Sequence, residues 1–151
     1  MSMSSEERRN AASFITSKDT LEGVYPGLIL GINSRRLGME ATIFYTFMGI
    51  NVIRKGWIDK IKYHPPGFMG AIPGMANVAT WMMKHKMDAA NIPSVEDLQE
   101  MAQIEGVRFV ACQMTVDMMG LSPDDFIDGV EIQTAEDFLR HAQHCKILLY
   151  T

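Results

Sequence analysis

A chain of 151 residues, 47% hydrophobic and 21% charged, is long enough for one buried core and too apolar for a disordered protein. Its formal net charge of −4 argues against broad electrostatic binding to DNA or RNA, which needs a basic face. Two cysteines, Cys112 and Cys145, are too few for a disulfide scaffold or a zinc finger. No run approaches the ~20 apolar residues that span a bilayer, and the polar stretch 1–10 lacks a signal-peptide core. These features imply a soluble, cytoplasmic protein with reduced thiols and no membrane span. The 13 methionines suit either a pliable core or an adaptable contact surface.

In chain order, 1–10 reads as a disordered or tag-like tail, which leaves 11–151 as a single domain. Ala11 to Thr16 is a short apolar strand. A helix is expected from Val24 to Leu37, with Pro26 in its first turn, Val24, Leu28, Ile32 and Leu37 on one face, and Gly38 as a left-handed C-terminal cap. Glu40 to Phe47 is the second strand, and a short helix follows from Gly49 to Arg54. The segment 55–74 is broken by Gly56, Pro65, Pro66, Gly67, Gly70, Pro73 and Gly74; long loops of this kind often form lids or binding surfaces. Met75 to Lys86 reads as a helix with Val78, Trp81 and Met82 on its apolar face. Ser94, with Asp97 three residues on, caps a helix that buries Leu98, Met101, Ala102 and Ile104 and ends at Gly106. Val107 to Cys112 is a third strand, followed by a short helix from Gln113 to Met119 and one helical turn from Ser122 to Phe126. Gly129 to Ile132 is a brief strand, Thr134 and Asp137 cap a helix through Gln143, and Cys145 to Tyr150 is the last strand.

Strands that alternate with helices, and that are apolar runs rather than polar–apolar alternations, imply an α/β fold. The expected form is a doubly wound, mostly parallel open sheet with helices on both faces. In such sheets ligands and chemistry gather at the carboxyl ends of the strands. That rule selects Thr16 to Asp19, Thr46 to Gly49, and Cys112 with Gln113. Cys112 is the strong nucleophile among them. It stands where a strand turns into a helix, and a helix N-terminus can lower a thiol pKa from about 8.5 to roughly 3.5–7.5 and stabilise an anionic sulfur. The alternative is a small buried hydrophobe. Cys112 is the candidate catalytic residue, and Gln113, Met114, Asp19, Met48 and Gly49 are the candidate substrate contacts.

Other residues carry weaker signals. Cys145 opens the final strand, at the opposite end of a parallel sheet, so a Cys112–Cys145 disulfide is not expected. His141 and His144 share a helix face, yet no acidic or cysteine partner has metal-ligand spacing, and they suit a helix C-terminus. His64 and His85 are isolated. Gly67, Gly70 and Gly74 fit neither the dinucleotide fingerprint nor the Walker pattern. Arg54, Lys55, Lys60 and Lys62, against Asp59 alone, are a solvated face or a surface attractive to a small anion or acidic partner. Asp117 shapes the Cys112 site or caps backbone groups. No metal or cofactor is implied.

Two longer stretches carry a resemblance. The runs Tyr25 to Leu30 and Gly38 to Gly49 resemble the DsrE/DsrF-like sulfur-trafficking family. Phe109 to Gly120 (FVACQMTVDMMG) and Phe126 to Glu131 are similar to its DsrE-like branch, loosely labelled peroxiredoxin-like. The likeness runs from about Ala11 onward. It implies a flavodoxin-like three-layer subunit, assembled as trimers or hexamers, and a sulfur carrier or sulfurtransferase that relays persulfide or thiosulfonate sulfur. The donors and acceptors it implies are TusA-like or rhodanese-like proteins. Carried over by motif, the sulfur-bearing cysteine is Cys112. No second cysteine lies near it, which argues against a resolving-cysteine mechanism. The threonine expected three residues before a peroxidatic cysteine is Phe109 here. The alternatives are a non-enzymatic scaffold subunit of the same fold, marked by a walled-in Cys112, and a thiol-based redox protein. The segment 55–74, with Trp57, Tyr63, Phe68 and Met69, is expected to cover the sulfur or to touch a neighbouring subunit.

Overall fold

The computed structural model describes residues 9–151. Five parallel strands form one sheet: β1 (Arg9–Thr16), β2 (Glu40–Tyr45), β3 (Arg108–Cys112), β4 (Glu131–Gln133) and β5 (Cys145–Tyr150), in the order β4-β3-β2-β1-β5. The helices are α1 (Leu21–Arg36), α2 (Met75–Ala89), α3 (Val95–Ile104), α4 (Gln113–Met118) and α5 (Ala135–Ala142). The chain walks outward from β1 to β4, then returns through α5 to add β5 on the far side of β1. That reversal covers the two faces of the sheet with different helices. Leu21, Val24, Leu28 and Ile32 of α1 and Leu98 and Ala102 of α3 pack with Phe14, Ile43 and Phe109 on one face. Phe138 and Ala142 of α5 pack with Phe44, Val110 and Cys112 on the other. The chain is therefore α/β and doubly wound, as expected. Each fully buried side chain of this size contributes about 1.5–3 kcal/mol, and Leu28, Ile43 and Val110 show no exposure at all.

Several boundaries differ from the sequence reading. Arg9 and Asn10, assigned to the tail, open β1; the remainder of that tail, residues 1–8, lies outside the described residues. Helix α1 begins at Leu21 rather than Val24, which puts Pro26 one turn deeper than a proline prefers. The helix tolerates it because packing of its apolar stripe outweighs one missing backbone bond. Leu37 was expected on that stripe but lies past the last helical residue and is 78% exposed. Gly38 does take the left-handed conformation, φ 82°. Strand β2 stops at Tyr45, and a 3-10 segment from Phe47 to Ile53 replaces the expected short helix.

Both capping signals hold: Asp97 N–H donates to Ser94 Oγ (3.1 Å) and Asp137 N–H to Thr134 Oγ1 (3.1 Å). Ile104 is exposed instead of buried, and Gln99 takes an inward position, donating from Nε2 to Val52 O (2.8 Å). The segment 55–74 contains 3-10 turns at Ile58–Lys60 and Gly67–Ala71. Thr80 alone of the α2 residues is buried, and Val78, Trp81 and Met82 are exposed to solvent. The expected apolar face of α2 is thus its outer face.

Candidate functional site

Cys112 closes β3 and supplies the N-cap residue of α4. The apolar strand ends where polar Gln113 and the helix-favouring Met114 open α4, and the turn sets the cysteine at the carboxyl edge of an interior strand. The residue is 3% exposed and packs among Phe44, Val110, Phe138 and Ala142. The rings of Phe44 and Phe138 stack at 4.3 Å. The Cys112 sulfur makes no capping hydrogen bond to the first turn of α4, so the expected contact with helix amides is not formed in this conformation.

The other selected strand ends meet on the same rim. Thr46 and Thr115 hydroxyls lie 3.4 Å apart, and Phe47 N–H donates to Thr115 Oγ1 (3.0 Å). These bonds tie the end of β2 to the middle of α4. Phe47 itself adopts φ 46°, a strained region for an aromatic residue. Gly49 is required by space: a Cβ there would stand 2.2 Å from Thr16 O of β1. Asp19 accepts from Asn51 Nδ2 (2.9 Å), and Arg54 donates to Asn51 Oδ1 (3.0 Å). Gln113 Nε2 donates to Asp117 Oδ1 (2.8 Å), one turn along α4. Asp117 therefore holds Gln113 rather than capping backbone. Met114 and Met118 share the outer face of α4 and are more than half exposed; Phe47 and Met48 are nearly half exposed beside them. The rim above Cys112 is accordingly apolar and open, although the sulfur is not.

The structure thus brings Cys112, Gln113, Met114, Met48 and Gly49 to one edge, with Asp19 on its β1 side held in the Asn51–Arg54 chain. Sequence reasoning missed Thr115 and Asn51, and it selected Phe47 as a strand-end residue without its strained backbone. A threonine or asparagine at a strand-to-helix junction was the available signal, but which partner it bonds depends on tertiary contact. The fully buried Tyr45 hydroxyl, at the end of β2, has no hydrogen-bond partner among the described residues, and burial raises its pKa. The 55–74 segment bonds elsewhere: Lys55 N–H to Asp125 O, Leu21 N–H to Lys62 O, and Thr80 to the Tyr63 backbone. None of these bonds is made with Cys112 or with the residues packed around it. A cavity of about 180 Å³ sits between α1, α2 and α3, lined by Tyr25, Lys84 and Val95 among others, and Cys112 takes no part in it.

Cys145 lies at the amino end of β5. Its Sγ is 3.3 Å from Ser13 Oγ and 3.7 Å from His141 Nε2. Burial, reinforced by Arg108 and Arg9, lowers the His141 pKa. Both cysteines are free. Among the described residues no group of three or more His, Cys, Asp or Glu side chains is placed to hold a metal ion, and no helix is long and apolar enough to cross a membrane.

Fold and edge together define a class: a doubly wound α/β protein with one thiol at the carboxyl end of an interior parallel strand. The chain belongs to the DsrE/DsrF/DrsH-like family, whose profile matches residues 8–150. It is 34% identical, over 91% of its length and 96% of the relative's, to the sulfur carrier protein DsrE2 of Allochromatium vinosum. It is 33% identical to the uncharacterized protein YrkE of Bacillus subtilis, over 74% of this chain and 78% of that one. The crystal structure of the E. coli ychN protein has the same fold, with a TM-score of 0.62 at 16% identity, covering 94% of this chain and 99% of that one.

Proposed function

We propose that this protein is a sulfur carrier in which Cys112 bears the cargo. The carrying observation is the position of Cys112 at the carboxyl end of β3 beneath an open apolar rim, in a chain 34% identical to a protein named as a sulfur carrier. The Cys112 thiolate attacks the outer sulfur of a donor persulfide. The donor's S–S bond breaks, the donor leaves as a thiolate, and Cys112 holds the persulfide. An acceptor thiolate then attacks that outer sulfur in the same way and releases the Cys112 thiolate. Because Cys112 is 3% exposed at rest, loading follows a local opening of the short α4 or α5 that bound it. The donors and acceptors in this reading are TusA-like or rhodanese-like proteins that dock on Phe47, Met48, Met114 and Met118. The subunit works in the cytoplasm as a trimer or hexamer.

Intact-protein mass spectrometry after incubation with a polysulfide or thiosulfonate tests the assignment. Wild type and Cys145→Ser gain the mass of the donor's sulfur, and Cys112→Ser does not. The burial of Cys112 favours a second reading, a scaffold subunit without transfer chemistry. An unmodified Cys112 under these conditions selects that reading and rejects the carrier.

A further inference from the structure

The cavity between α1, α2 and α3, about 180 Å³ in volume, plays no part in the Cys112 site. Its wall is largely apolar, built from Leu21, Tyr25, Ile58, Ile61, Met87 and Val95. The polar end of Tyr25 is already used: its hydroxyl donates to Pro93 O (2.9 Å). Four charged residues line the same cavity, Asp59, Asp88 and Glu96 against Lys84. Acids therefore outnumber bases, and none of the four takes part in a salt bridge among the described residues. Their field reaches the wall. The Tyr25 pKa is raised, first by burial and then by Asp88 and Asp97. The helix ends agree with that sign. Met87 and Asp88 stand in the last turn of α2, whose carbonyl end favours a cation. The opposite pole, the N-terminus of α3, is met by its own residues: Ser94 Oγ accepts from Asp97 N–H (3.1 Å), and Glu96 and Asp97 occupy the first turn.

We infer that this cavity binds a small organic cation, an ammonium or guanidinium group carried on an apolar body. An apolar cavity of about 150 Å³ accepts a benzene ring, so this one has room for a ring or a short alkyl chain with its charged end among the carboxylates. Burial of the body against Leu21, Ile58 and Val95 supplies affinity, and the excess of acids selects the sign of the charge. An anion of the same shape would meet three carboxylates for one lysine. A metal ion does not fit, because among the described residues no three such side chains are placed to hold one. Binding has a mechanical consequence. Helix α2 is lightly attached: Thr80 is its one buried residue, and Met83 is half-buried against the core. A ligand that touches Met87 on α2, Tyr25 on α1 and Val95 on α3 ties α2 to the body and suppresses its local opening. The inference is independent of sulfur transfer at Cys112.

The test is titration of the full chain with phenethylammonium chloride, beside sodium 3-phenylpropionate as an anion of similar shape, followed by NMR shifts and amide hydrogen exchange. The ammonium compound binds at least tenfold more tightly than the carboxylate and slows exchange in 75–89. The pair Asp88→Asn/Glu96→Gln, both at exposed positions, weakens ammonium binding about tenfold with an unchanged circular dichroism spectrum. Ile92→Trp, which fills the cavity from a position 41% exposed, removes binding of either probe. Cys112→Ser binds the ammonium compound as wild type does, so a failure of the carrier reading leaves this result intact. No binding, equal affinity for the two probes, acid variants that bind like wild type, or protection outside the cavity elements would overturn the inference.

Discussion

The two ends of the sheet hold one buried cysteine each and treat solvent in opposite ways. At the amino end, strand-opening residues pair in charge: Arg9 with Glu40 across β1 and β2, and Arg108 with Glu131 across β3 and β4, each at 2.7 Å. At the carboxyl end, Phe47, Met48, Met114 and Met118 face water without such pairs. Cys145 is 5% exposed among Ser13 and His141, whereas Cys112 is 3% exposed among apolar side chains. Burial alone does not separate the two thiols. Their neighbours do: one end is finished with polar contacts of its own, and the other leaves an apolar rim unfinished.

The largest expected difference is the all-or-none loading of Cys112 against Cys145. Equal loading of both thiols would erase the contrast between the ends. Next is Phe138→Ala, which removes the ring stacked on Phe44 and opens the wall of Cys112. It is expected to cost about 3–5 kcal/mol in denaturant titration and to accelerate alkylation of Cys112 more than of Cys145. Equal acceleration would show that α5 covers both ends as one unit. Thr115→Val removes the bonds to Phe47 N–H and Thr46, at about 1–2 kcal/mol. It is expected to speed Cys112 labelling and leave Cys145 unchanged.

The amino end has a pH signature of its own. His141 has its pKa lowered in the folded protein, first by burial, then by Arg108 and Arg9, with His144 adding to the effect and Glu40 opposing it. The unfolded chain therefore binds the proton more readily, and stability is lost as pH falls through about 6.5 toward the lower folded value. Denaturation midpoints of wild type measured down that range are expected to fall more steeply than those of His141→Gln.

How much was legible followed from how local the cause was. The caps at Ser94 and Thr134 were readable because donor and acceptor stand three residues apart. Strand β5 was readable end to end from CKILLY, and Cys112 from the change of pattern at a strand end. The outward face of α2 was not readable. Periodicity identifies an apolar stripe but does not say whether anything packs on it. The exposure of Leu37 and Ile104 has the same cause: each apolar residue sits at the end of a stripe that the partner element does not reach.

The sequence by itself determined the alternation of strands and helices, the class of fold and the thiol at the end of the third strand, because these depend on pattern and on neighbours along the chain. Only the tertiary structure decided that Cys112 rests closed, that Thr115 ties α4 to the end of β2, that Cys145 meets Ser13 and His141, and that α2 stands bare. Each of these depends on residues far apart in sequence, and their contact follows from the order in which the strands assemble rather than from any local preference.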